Sequence, residues 1–149
     1  MDLDKLKEEI KEDEGYKNEI YLDHLSLKTL GVGHLLKETD PEYDLEVGTH
    51  IDDERVNELF EEDLNITLDE CRKLYYDFDK LPEEVQRIIA NMMFNMGRPR
   101  LSRFHKMKRA VDNPEWEVAS KEMADSKWHN QDVPNRAKRL VDRMRNIVT

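Results

Sequence analysis

The chain has 149 residues, 38% of them hydrophobic and 39% charged, and a formal net charge of −10. That length suits one domain, or two lobes sharing a helix, able to bury roughly two thirds of the surface its unfolded form exposes. The acidic balance argues against a nucleic-acid partner, the lack of a run of ~18 apolar residues excludes an obvious membrane span, and a lone Cys71 excludes an internal disulfide.

In chain order, Leu3, Leu6 and Ile10 keep the spacing of an amphipathic first helix, which Gly15 should end, with Glu14 at the inner edge of its apolar stripe. The segment Met1 to Gly15 is charged where a secretory signal needs an apolar centre, so the sequence predicts a protein made soluble in the cytoplasm, without a secretory signal of its own and without stable membrane association. From Ile20 to Leu36 the texture turns β-like. Ile20-Tyr21, Thr29-Leu30 and Val32 are interrupted by Gly31 and Gly33, which predicts a small antiparallel sheet. Residues 37–49 contain Pro41 and Gly48 among acids and are expected to form a solvated loop.

Everything beyond Ile51 reads as helix. Asp52 is placed to cap a long helix through Val56, Leu59, Phe60, Leu64 and Leu68 toward Leu74. Pro82, Pro99, Pro114 and Pro134 each sit where the first turn of a further helix tolerates proline. Val85 to Met96 is the most apolar stretch and the expected centre of a helical core. Cys71, in a helical run, reads as a packing residue. The expectation is an α+β, mostly helical fold: a first helix, a small antiparallel sheet, a long connecting helix and a C-terminal helical lobe. An N-terminal lobe would span about 13–60, and a helical lobe about 61–149 together with helix 1–12. A cleft between lobes would suit a polymeric substrate. Charge is divided unevenly along the chain, with 10 Lys/Arg against 25 Asp/Glu in residues 1–80 and 14 against 9 in residues 81–149.

Glycoside cleavage needs a carboxylic acid to protonate the leaving oxygen and usually a carboxylate opposite it to act on water or on the sugar carbon. Glu14, at a helix end where partial desolvation favours the protonated form, and Asp23, in a turn after a strand, are a plausible pair. Two acids nine apart in so acidic a segment carry little meaning alone, since solvated surface carboxylates would look the same.

Read with their neighbours they carry more. Glu14-Gly15, Tyr21-Leu22-Asp23 and Thr29 through Leu36 resemble the active-site segment of the T-even-phage-type lysozymes of glycoside hydrolase family 24, with matching intervals. A distant second match runs through Asn91-Met92, Phe94 and Met96-Gly97, then Ser126 to Gln131 and Pro134 to Arg139. The resemblance implies a two-lobed lysozyme fold and an endolysin that hydrolyses the β-1,4 bond between N-acetylmuramic acid and N-acetylglucosamine in peptidoglycan, with inversion, lysing the cell. It implies Glu14 as general acid, with Asp23 and Thr29 holding the attacking water. Inversion would need about 6.5–9.5 Å between the carboxyl groups to admit that water.

By the same resemblance Arg136 pairs with the catalytic glutamate, and His34 pairs structurally with Asp63. Leu35 and Phe94 match positions at the substrate cleft, although so apolar a pair fits a core equally well. Asn91 and Asn95, four apart on an apolar helix, offer amides for N-acetyl groups, or are satisfied locally. Trp128 reads as core. Two polar substrate-contacting positions of the family fall at Met107 and Glu122, and Asn95 replaces a longer glutamine. No cofactor or metal is implied. The partners implied are the wall polymer and a holin-type protein that opens the membrane, and the enzyme is expected to be a monomer.

Rival readings find less support. There is no His-Glu-x-x-His motif and no Gly-x-Ser-x-Gly elbow. An EF-hand loop starting at Asp40 would need glycine sixth and glutamate twelfth, and meets Leu45 and Ile51. A wall-binding protein without turnover would have no need to keep glutamate, aspartate and threonine together.

Overall fold

The computed structural model describes residues 1–148 and groups the chain into two compact units, Asp4–Ile66 and Met1–Leu3 with Thr67–Thr149. The mostly helical chain with a small antiparallel sheet is the α+β arrangement the sequence predicts.

In the first unit, helix α1 (Leu3–Glu14) buries Leu6 and Ile10 completely, and the Gly15 N–H closes its last turn on the Lys11 carbonyl at 2.8 Å. Three strands follow, β1 (Lys17–Leu22), β2 (Lys28–Gly31) and β3 (His34–Leu35), in antiparallel order β1-β2-β3. Val32, read from sequence as strand, lies instead in the turn between β2 and β3. The pleat divides the sheet into two rows. Leu30 pairs with His34, and with Ile20 this row faces Leu36, Ile51, Val56 and Leu59 of a small core to which α2 (Asp53–Leu74) contributes. Tyr21, Thr29 and Leu35 are opposite one another in register and form the other row.

The acidic segment 37–49 corrects the sequence reading. It contains a 3-10 turn at Pro41–Asp44, and two of its acids are structural rather than solvated. Glu42 is 8% exposed and accepts from Arg55 Nε and Nη2 at 3.0 and 3.1 Å, a bidentate pair. Asp40 Oδ2 accepts from the Lys37 N–H at 2.9 Å and lies 2.9 Å from His34 Nε2. Lys28 Nζ donates to the Tyr43 and Leu45 carbonyls at 3.1 and 2.8 Å. Three side chains thus fix a loop whose backbone could not otherwise be held by so few apolar residues.

The second unit contains the remainder of α2, then α3 (Glu83–Leu101), α4 (His105–Asp112), α5 (Trp116–Ala124) and α6 (Pro134–Arg145). Its prolines act at helix starts in different ways: Pro82 is the residue before α3, Pro134 is the first residue of α6, and Pro99 follows the break at Gly97 inside α3. Residues 85–93 of α3 are buried throughout, in keeping with the most apolar stretch of the sequence. Gln86, one of the polar exceptions, donates to the Leu81 and Asp79 carbonyls at 2.8 and 3.3 Å. Cys71 is fully buried, and burial pushes its thiol up to about 12, as suits a packing residue rather than a nucleophile. Among the described residues no helix is long and apolar enough to cross a membrane.

Candidate active site

Glu14 is the last residue of α1 and is half-buried. What lies against it is the backbone of the turn between β2 and β3. A Cβ added at Gly33, where φ is +63°, would stand 2.7 Å from Glu14 Oε2. Only the missing side chain lets the turn approach the carboxylate so closely. Two positions earlier, a Cβ at Gly31 would stand 2.7 Å from Cγ1 of buried Val56. The Gly31-Val32-Gly33 run therefore seats the turn on the core with one glycine and on the carboxylate with the other.

Asp23 heads the loop between β1 and β2. Its Oδ1 accepts from the Leu25 and Leu27 N–H groups at 2.8 and 2.9 Å, and its own N–H donates to the Leu27 carbonyl at 2.9 Å. One carboxylate oxygen thus orients the side chain by nucleating the loop, an Asx-type turn, and Oδ2 is left to meet a ligand. Ser26 completes the loop at φ +62°, a left-handed conformation rare for a residue with a side chain.

Thr29 sits in the middle of the outer row, 5% exposed, and its hydroxyl donates to the Leu27 carbonyl at 2.9 Å. With its proton committed to backbone, the Oγ1 lone pairs are what it can offer a water. Leu35, opposite Thr29, is 47% exposed. Tyr21, opposite Thr29 on the other side, is half-buried. Burial first, then the charges of Glu14 and Asp23, raise its phenol above the ordinary value, so both carboxylates bear on this ring. Tyr21 was not singled out in the sequence, although it stands two residues before Asp23.

His34 turns the other way, into the core. Its Nδ1 lies 2.7 Å from Asp63 Oδ2 and its Nε2 2.9 Å from Asp40 Oδ2. Burial lowers its pKa, and the hydrogen bonds and charges of Asp63 and Asp40 more than reverse this, so the net direction is upward. Two carboxylate partners can both accept only from the imidazolium, which leaves neither ring nitrogen for chemistry.

The other candidates belong to the helical unit. Asn91 has no exposed surface, and its Oδ1 accepts from Arg136 Nε at 2.8 Å, so its amide packs inside the unit instead of presenting to a ligand. Arg136 is itself 7% exposed. Asn95 is half-buried, its Oδ1 accepting at 2.8 Å from Nε1 of Trp128, which is 2% exposed. That bond directs the Asn95 amide nitrogen away from the indole. Phe94 is half-buried beside it. Met107 and Glu122 both line an open depression of about 410 Å³, with Arg103, Lys106 and Arg109 among its other walls.

A carboxyl group at a helix end and a second carboxylate held by a loop are the groups that a glycoside hydrolase uses. Comparison with known proteins makes that class specific. The family model described as phage lysozyme matches residues 11–146, so the chain belongs to the phage lysozyme family. Two relatives from Dictyostelium discoideum, described as probable T4-type lysozymes 2 and 1, are 27% and 29% identical to it, each over 91% of both chains. A peptidoglycan hydrolase, gp36 of Pseudomonas phage phiKMV, is 27% identical over 97% of this chain but only 15% of its own length.

Proposed function

We propose that this enzyme hydrolyses peptidoglycan as a muramidase, cutting the β-1,4 bond between N-acetylmuramic acid and N-acetylglucosamine with inversion. What supports the reading is the family of the chain together with the separate seating of two carboxylates, Glu14 against Gly33 at the end of α1 and Asp23 on the Leu25 and Leu27 N–H groups. A pair seated in this way can act separately on one bound sugar.

Glu14 gives its proton to the glycosidic oxygen as the bond to the anomeric carbon breaks. A water donates one hydrogen bond to Thr29 Oγ1, whose own proton is engaged by Leu27, and the other to the Asp23 oxygen not used by the loop. Both its protons are then directed to the protein, its lone pair is aimed at the carbon, and Asp23 takes the proton as the new bond forms. The product is a reducing muramic acid end of inverted configuration.

Mass spectrometry of the products of purified peptidoglycan tests the bond. Reducing muramic acid ends are expected, and anhydro ends would replace the hydrolase reading with a lytic transglycosylase. Glu14→Gln tests the acid: turnover should fall by about 10²–10⁴-fold, the usual worth of general acid catalysis, with the thermal midpoint kept. A variant with most of its activity would remove Glu14 from the role.

A further inference from the structure

We infer that Tyr21 is a substrate-binding residue of this site, its hydroxyl donating a hydrogen bond to an oxygen of the glycan held between Glu14 and Asp23. The inference rests on the hydrolase reading and adds a contact to it.

Tyr21 shares a face of the sheet with Thr29, directly opposite in register, and that row is turned away from the core. The ring is half-buried, so its place is fixed, and the carboxylates of Glu14 and Asp23 both act on the phenol. Its place in register with Thr29, two residues before Asp23, puts the ring beside the candidate water-holding residues, and the bearing of both carboxylates on the phenol agrees with that place. No hydrogen bond joins its hydroxyl to another described residue, although the neighbouring Thr29 hydroxyl and one Asp23 oxygen are both engaged. Its donor is therefore uncommitted among the described residues and can be given to a ligand in place of water.

The ring itself is not offered as a stacking platform on both sides, because Lys17 Nζ stands 4.3 Å from the centroid. The contact inferred for the glycan is at the hydroxyl edge. Burial first, and then the charges of Glu14 and Asp23, favour the protonated phenol, so it acts as a donor, and the sugar hydroxyls and N-acetyl carbonyls of the glycan are acceptors.

Tyr21→Phe removes the hydroxyl and keeps the ring, its packing and the Lys17 contact. With soluble, peptide-free glycan oligomers prepared from peptidoglycan, kcat/KM should fall about tenfold, as expected when a site built to hydrogen-bond a substrate loses one donor. The thermal midpoint and the shape of the pH profile should stay as in the unaltered enzyme. In a Glu14→Gln background, which holds glycan without cutting it, the same change should weaken binding of those oligomers by a similar factor. Unchanged kcat/KM would overturn the inference. A loss accompanied by a lowered midpoint would overturn it in favour of a structural tyrosine, and a displaced pH profile in favour of one that acts on the carboxylates and not on the sugar. Product analysis of the unaltered enzyme keeps the two readings apart: absence of reducing muramic acid ends would reject the hydrolase reading, whereas their presence with an indifferent Tyr21→Phe would reject this contact alone.

Discussion

The two units are held together by different physics. Residues 4–66 carry 7 Lys/Arg against 20 Asp/Glu, while the helical unit carries 17 against 14. The sheet unit has a small apolar core, and its backbone path is set by Arg55 on Glu42, His34 between Asp40 and Asp63, and Lys28 on two carbonyls, together with two glycines that permit close approach. In the helical unit Ile88, Ile89, Met92, Met107 and Met144 are wholly buried on several helices, and polar groups such as Gln86 are exceptions satisfied locally. The candidate catalytic residues lie in the unit where polar side chains carry the structure. There a substitution can move a carboxylate without unfolding the chain, because the clamps are local and directional where burial is diffuse.

The sharpest way to break this contrast is within a single turn. Gly33→Ala drives a methyl group into the end of the flexible Glu14 side chain, which can yield, so beyond the roughly 1–2 kcal/mol that a left-handed backbone costs alanine at φ +63° the expected result is a folded protein with activity down about 100-fold, the cost of displacing a reacting group by an ångström. Gly31→Ala drives its methyl group into buried Val56, which cannot yield, at a residue whose φ is +68°. Its main effect should be on stability, a loss of roughly 2–4 kcal/mol from the left-handed backbone and overpacking together. Denaturation midpoints and wall-clearing rates of the two variants separate these outcomes. Equal loss of stability in both would mean that the turn is one structural unit and that Glu14 is not specifically held by Gly33.

A smaller effect distinguishes the clamps from the cores. The His34 pKa is raised above its ordinary 6.5, so the stability it contributes is complete below that value and is lost as pH rises through the raised one. Asp40 is lowered from 3.8: burial opposes this, but the Lys37 N–H and His34 outweigh it, so its contribution is complete above 3.8 and is lost as pH falls through the lowered value. The sheet unit should therefore lose stability at both ends of a window reaching from below 3.8 to above 6.5. Asp40→Asn should lower stability near neutrality by about 1–3 kcal/mol, as for a charged hydrogen bond, and bring the alkaline loss to lower pH. Denaturant titrations of both proteins across pH give the comparison, and identical profiles would show that Asp63 alone holds His34.

The smallest effect concerns the charge difference itself. If the basic helical unit, with Lys106, Arg109, Lys138 and Arg139, attracts an anionic wall polymer, the acidic sheet unit repels it, and a net charge of −10 makes repulsion dominate beyond the Debye length of about 30 Å at 0.01 M. Initial rates of wall clearance should rise from very low to moderate ionic strength. A steady fall from the lowest salt upward would mean that the basic side chains govern encounter.

Periodicity and punctuation were enough to give the elements. Leu6 and Ile10 before Gly15 define α1, the alternation around Gly31 and Gly33 gives the sheet, and the long stripe after Asp52 gives α2, because each depends on residues close in the chain. Glu14, Asp23 and Thr29 could be picked out as candidates because their spacing resembles a known family's, a likeness the family match over residues 11–146 supports as to family. What only the tertiary structure decided is which polar groups meet. That Asp40 joins His34, that Glu42 is buried on Arg55 and that Gly33 leaves room for the Glu14 carboxylate are contacts that the spacing of the residues does not specify. A side chain's charge says that it needs a partner or water. The choice between them is made by chain closure and burial, which no local pattern of residues encodes.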